Sequence, residues 1–338
     1  MIRIALVLFL IAIPLNVSHA QDITPEMLGF KSHKVDHATL GEINFYLSEG
    51  DNTKPLLVYL DGSGPFPLFQ KTKRGIGSTV VINFQSLIKS YRILLISKPG
   101  IPFYDEVGSD TNGFPTYEAP LKYTKNLTLD WRSQSTNAAI DWLLENKQVN
   151  SEKIIVFGFS EGAQVAPYVA ELNSKVSHLM LFGGNGLNQF FDPIVSARMN
   201  AKAGIVTEEQ AQKTIDSLFT QYKDIYQNGN EVNKSWWGHS YARWNSFTKR
   251  SPIDVLTHID IPIYFANGSK DVNSVLSADY LQLEFIKKGK TNLTYKTYPN
   301  LDHQFNEVHY ENGQFKGATP KMQSVMQEAF KWLNSTEN

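Results

Sequence analysis

A chain of 338 residues, 42% hydrophobic and 19% charged, is long enough to bury one sizeable α/β core. Its formal net charge of −1 offers no electrostatic pull toward nucleic acid or any strongly charged partner. With no cysteine, no disulfide can brace the fold, so packing must hold it, and 6 Trp, 15 Tyr and 20 Phe supply rings for a core or an aromatic-lined pocket.

The first twenty residues stand apart. Arg3 precedes an apolar run over residues 4–15 that is short for a bilayer span, and Ser18-His19-Ala20 places small residues at −3 and −1 of a cleavage site before Gln21. This predicts a secretory signal peptide over 1–20 and an exported mature chain over 21–338, periplasmic or secreted, without a stable membrane anchor after cleavage. The absence of cysteine excludes a lipoprotein anchor at that site and suits a bacterial periplasm or secretome.

Residues 30–36 and 43–47 read as two strands joined by a turn around Gly41. Residues 56–60 form a short apolar strand that runs into Asp61-Gly62-Ser63-Gly64-Pro65, a turn able to face its N–H groups toward a ligand. Lys71, Lys73 and Arg74 follow as a solvated basic loop. Residues 81–89 read as a helix, 92–97 as a buried strand, and 101–126 as a long Gly/Pro/Tyr-rich loop. Apolar positions at helical spacing mark 128–146 as a helix, with Thr128 and Asp130 as candidate caps.

The pattern then sharpens. Ile154 to Phe157 is a β-branched and aromatic run suited to a strand buried on both faces, and 163–170 reads as a helix built from small residues. Between them lies Gly158-Phe159-Ser160-Glu161-Gly162, a G-x-S-x-G bend that lifts Ser160 out of a sheet and onto a helix N-terminus. Residues 176–182 give a further strand. From 186 to 250 no strand is predicted. An amphipathic helix over 208–227 and an aromatic-dense segment over 235–244 point to a helical cap insertion. Strand, helix, strand and helix resume over 261–266, 274–287, 293–298 and 320–333. Such alternation predicts a mostly parallel sheet with helices on both faces, with reactive groups gathered beyond the carboxyl ends of its strands.

A serine hydroxyl needs a base, and the base an orienting carboxylate. Asp271 and His303 follow the 261–266 and 293–298 strands, so both sit on loops at that rim. His239, in the insertion, is the other candidate base, and Asp254 and Asp302 are alternative acids. Two N–H donors must face the developing oxyanion. The expected pair is Glu161 N–H, next to the nucleophile, and Ser63 N–H from the glycine turn, with Gly64 as its alternative. Trp236, Trp237, His239, Tyr241 and Trp244 are candidates for an acyl or aromatic pocket. No metal or cofactor site is predicted: His33, Asp36 and His37 lack ligand spacing, and no phosphate-binding glycine loop is present.

In these residues the chain resembles the α/β-hydrolase-fold serine hydrolases. Gly158-Phe-Ser160-Glu-Gly162-Ala-Gln-Val-Ala is similar to the G-x-S-E-G-[GA] elbow of bacterial esterase-like members, near the dienelactone-hydrolase-like proteins, the acyl-CoA thioester hydrolases and the catalytic domain of prolyl oligopeptidases. The likeness covers about residues 25–337. The family's chain order of nucleophile, acid and base implies Ser160, Asp271 and His303. One departure is Asp61-Gly62, where the family often carries His-Gly. The resemblance implies a hydrolase of carboxylic esters acting on a small-molecule ester or short acyl substrate, and the predicted signal peptide adds that it is exported. The alternatives are a prolyl-oligopeptidase-like peptidase, a thioesterase, and an inactive hydrolase fold that only binds.

Overall fold

The computed structural model describes residues 22–336 apart from 74, 151, 273, 312 and 313, so the predicted signal peptide and Arg74 lie outside the described residues. Eight strands form the central sheet: β1 (Phe30–His37), β2 (Gly41–Ser48), β3 (Leu56–Leu60), β4 (Arg92–Ile96), β5 (Ile154–Phe159), β6 (Val176–Phe182), β7 (Ile263–Gly268) and β8 (Leu293–Tyr298). Their spatial order is β1-β2-β4-β3-β5-β6-β7-β8. Only β2 runs against its neighbours; every other pairing from β4 to β8 is parallel.

The central strands β3, β4 and β5 read as largely apolar runs because both of their faces are covered, whereas the edge strand β8, Leu293–Tyr298, mixes polar and ring residues and is only half-buried. Every residue of β3, β4 and β5 is buried. Alternate side chains enter separate cores. Leu56, Val58, Leu60, Ile154 and Val156 pack with α1 (Leu129–Glu145), α2 (Glu161–Leu172) and α6 (Val275–Lys287). Leu57, Tyr59, Ile155 and Phe157 pack on the other face with α7 (Met322–Ser335).

The order of the strands creates a switch point. From β3 the chain moves outward to β4, then crosses back to β5 on the other side of β3. The carboxyl ends of β3 and β5 therefore open onto one crevice, where open α/β sheets bind ligands.

The insertion carries α3 (Phe191–Lys202), α4 (Glu208–Gln227) and α5 (Tyr241–Thr248). Helix α4 opens on a capping box between Thr207 and Gln210, and the Ser240 side chain caps α5. The expectation of no strands here needs correction: Ser235–Trp236 and His239–Ser240 form a two-residue antiparallel ladder. Three further differences follow from weak local patterning. The helix predicted over 81–89 shrinks to Phe84–Leu87. The 101–126 loop contains short strands and the helix Leu121–Asn126. The link from His303 to α7 holds a hairpin, Asn306–Glu311 with Gln314–Pro320, whose mixed polar, exposed strands lack the alternation of a half-buried sheet.

Candidate active site

Ser160 sits between β5 and α2 with φ 56° and ψ −117°, outside the regions a non-glycine residue ordinarily occupies. Its flanking glycines make that bend possible. A Cβ at Gly158 would lie 2.3 Å from the Gly162 carbonyl oxygen, and one at Gly162 would lie 2.1 Å from that of Leu60. Both are backbone collisions, so neither position admits a side chain. The Ser160 N–H remains tied to the sheet through the Phe182 carbonyl at 2.8 Å.

Asp271 and His303 reach Ser160 from the loops after β7 and β8. Those loops are laced together: Ser269 and Lys270 N–H donate to the Tyr298 and Leu301 carbonyls, both at 2.9 Å. They pass so closely that a Cβ at Gly268 would lie 2.2 Å from the Leu301 oxygen. Asp271 Oδ2 stands 2.6 Å from His303 Nδ1, and His303 Nε2 stands 3.0 Å from Ser160 Oγ. An ionised carboxylate only accepts, so Nδ1 carries the proton and Nε2 is free to accept from the serine hydroxyl. Burial disfavours the charged ring, but Asp271 outweighs it and holds the His303 pKa above its ordinary 6.5. The ring packs beside Phe159 and against the backbone of Gly183, where a Cβ would come within 3.1 Å of Cε1.

The alternative acids are engaged elsewhere. Asp302 accepts from the Gln304 and Asn306 N–H groups in its own turn, and Asp254 belongs to a helix-capping pair with Ser251. His33 is packed between Phe45 and Trp142.

The Asp61–Gly64 turn lies directly over the serine: a Cβ on Gly62 would be 3.4 Å from Ser160 Cβ and 3.8 Å from Oγ. Among the described residues, neither Ser63 N–H nor Glu161 N–H has an acceptor within the protein. Two backbone donors thus remain unused, one on the turn that lies against Ser160 and one on the residue that follows it. A carbonyl carbon attacked there would develop its negative oxygen beside them.

Below this turn lies a chain of buried charges that the motif reading does not reach. Lys98, from the end of β4, pairs with Asp61 at 2.7 Å. Arg132 of α1 bridges Asp61 at 2.7 Å and Glu161 at 2.8 Å. Arg243 of α5 takes the other Glu161 oxygen. Three cations face two carboxylates, leaving a net positive charge beneath the two free N–H groups. Burial pushes the Glu161 carboxyl up, but Arg243 and Arg132 together overcome it and hold it far below the usual carboxylate range. Burial pulls the Lys98 ammonium down against the opposing pull of Asp61. The sequence signal for this network is slight: single charges set in otherwise apolar segments.

The insertion is joined to the elbow through Arg243. Its guanidinium also donates to Gln189 at 2.8 Å and lies 4.5 Å and 4.3 Å from the Trp244 and Phe247 ring centres. Arg243→Ala would leave half of the Glu161 carboxylate buried without its cation. We expect it to cost about 3–5 kcal/mol of folding stability. The exposed Lys175–Asp141 pair is the control, and Lys175→Ala should cost under about 1 kcal/mol. Denaturant titration of both variants checks the contrast.

The candidate pocket rings are placed differently from one another. Trp236, Tyr241 and Trp244 pack with Phe190, Leu218, Tyr222 and Ile225 in the insertion's own apolar core. Trp237 stacks on Trp236 and is 52% exposed. His239 lies edge-on to Trp244, with burial and Arg243 pushing its pKa down to about 3, so it is neutral across the physiological range. The insertion also supplies Asp192, bonded to Asn185; burial, reinforced by the charge of Asp271, raises its pKa well above the usual carboxylate value.

Residues 136–307 match the family model described as BAAT / acyl-CoA thioester hydrolase C terminal, a span that includes Ser160, Asp271 and His303. No curated protein sequence matches closely enough to count as a relative. Among solved structures, Est1E from Butyrivibrio proteoclasticus aligns with a TM-score of 0.51 at 11% identity, over 90% of this chain and 98% of that one. An esterase from Pyrococcus furiosus gives 0.50 at 14%, over 97% and 96%. A puromycin-hydrolyzing peptidase from Mycobacterium tuberculosis gives 0.50 at 13%, over 82% of this chain; the chain spans 36% of that peptidase. At such identities the likeness is one of fold, and the fold is that of the α/β hydrolases, as the sequence implies.

Proposed function

The chain belongs to the BAAT / acyl-CoA thioester hydrolase C-terminal family of α/β hydrolases, and from that premise we propose that it is a serine hydrolase cleaving carboxylic esters through an acyl-enzyme. The observation that carries the reading is the hydrogen-bonded line from Asp271 through His303 to Ser160, at 2.6 Å and 3.0 Å. Ser160 Oγ attacks the acyl carbon as its proton passes to His303 Nε2. Asp271 holds Nδ1–H and stabilises the imidazolium. The oxyanion is held by Ser63 and Glu161 N–H over the positively charged network. Collapse expels the alkoxide, which takes the proton from Nε2 and leaves as alcohol. A water then attacks the acyl carbon, its proton going to Nε2, and release of the acid returns that proton to Ser160.

An oxygen ester is the substrate class we favour over a thioester, because residues 1–20 read as an export signal and acyl-CoA is an intracellular substrate. A mature N-terminus at Gln21 in the exported fraction is the mark of that reading. The substrate class is tested by assaying the purified protein on p-nitrophenyl acyl esters, acyl thioesters and proline-containing peptide amides. We expect the highest kcat/KM on an oxygen ester of short acyl chain; faster turnover of the peptides or the thioesters would replace this assignment.

A further inference from the structure

We propose that Lys98 is the positioning residue of the oxyanion turn, fixing the direction of the Ser63 N–H from beneath. The proposal rests on the serine-hydrolase reading above and adds a residue to it. Lys98 is buried at the end of β4, and its ammonium has three N–H donors, all of them used. One goes to Asp61 Oδ2 at 2.7 Å, one to the Gly62 carbonyl at 2.6 Å and one to the Gly64 carbonyl at 2.9 Å. The Gly62 carbonyl and the Ser63 N–H belong to one trans peptide plane and point in opposite directions. Holding the carbonyl down on Lys98 therefore turns the Ser63 N–H away from it, and this peptide lies against Ser160. The Gly64 carbonyl belongs to the peptide of Pro65, which has no N–H of its own, so the second contact anchors the far side of the turn without using a donor.

Charge balance alone does not account for this arrangement. Asp61 is already paired through Oδ1 with Arg132, which also takes the Asp61 main-chain carbonyl twice, at 3.1 Å. A counter-ion needed only for the carboxylate has no reason to gather two glycine carbonyls from the same turn. Gly64 adopts φ +94°, open to glycine without strain, and a Cβ there would lie 2.8 Å from the Phe66 ring, so the turn keeps a residue whose backbone is otherwise free to rotate. The ammonium is a compact point donor, able to serve three acceptors converging on one spot. A guanidinium spreads its donors over a planar fork and cannot.

The test compares wild type, Lys98→Met and Lys98→Arg on p-nitrophenyl acetate. Active sites are counted by fluorophosphonate titration, and a phenylboronic acid reports affinity for the tetrahedral species. We expect Lys98→Met to lower kcat per titrated site about 100-fold, with KM within about threefold and boronate affinity falling in parallel with kcat. Lys98→Arg keeps the charge opposite Asp61 but not the convergence, and should lose about tenfold in kcat with KM unmoved. If Lys98→Met does not fold, Lys98→Arg decides. A loss confined to the number of titrated sites, with normal kcat at those that remain, or kcat within twofold of wild type in every folded variant, overturns the proposal and leaves the hydrolase reading intact. A wild-type protein that neither hydrolyses the ester nor takes the fluorophosphonate overturns both.

Discussion

Ser160→Ala should lower ester turnover by about a millionfold while leaving the fold in place. The hydroxyl oxygen is the only heavy atom lost. The alanine keeps the backbone strain of the elbow, φ 56°, and the N–H bond to the Phe182 carbonyl that anchors it. His303 loses its partner at Nε2 but keeps Asp271 at Nδ1. Any remaining rate, about a thousandfold or more above the uncatalysed reaction, would come from the oxyanion donors and substrate binding. Circular dichroism and thermal melting near wild type, with turnover at that floor, is the expected pair of results. Turnover within tenfold of wild type would remove Ser160 from the mechanism.

Asp271→Asn should cost about 10⁴-fold in kcat, for a reason separable from loss of charge. The amide presents an NH₂ to Nδ1, which must then accept. The ring proton moves to Nε2, and Nε2 can no longer take the serine proton. The pH profile provides a second readout. In the wild type, burial opposes the charged ring and Asp271 overcomes it, so the His303 pKa lies above 6.5. Activity needs the neutral ring, so kcat/KM should rise with pH through a midpoint above the ordinary histidine value. In Asp271→Ala burial is unopposed, and the midpoint of the residual activity should move to lower pH. Stability follows the same sign. A pKa raised on folding contributes stability fully below pH 6.5 and loses it as pH rises through the folded value. The cost of Asp271→Ala to folding should therefore be greater at pH 5 than at pH 9. A midpoint that does not move between wild type and Asp271→Ala would count against the pair.

The sheet and the three meeting loops are legible in the sequence because they are written locally. Apolar runs mark β3, β4 after its opening Arg92, and β5, the G-x-S-x-G bend marks the switch from β5 to α2, and Asp271 and His303 each follow a strand. The charge network is written nowhere locally. Lys98 lies 37 residues from Asp61, Arg132 lies 29 from Glu161, and Arg243 lies 82 from Glu161. The insertion stands between these cases. Ring density predicts that Trp236 and Trp244 are buried somewhere, but direction comes from packing, and α4 turns Leu218, Tyr222 and Ile225 toward them. The hairpin after His303 escapes because its strands bury no full face and carry no periodic signal.

A serine nucleophile at position 160 must form a covalent bond when a hydrolase substrate analogue is offered. Wild-type protein treated with a fluorophosphonate and digested for mass spectrometry should carry one adduct, on the peptide containing Ser160, and His303→Ala should slow its formation by orders of magnitude. An unlabelled wild type, or an adduct on a different residue that persists in Ser160→Ala, would contradict it.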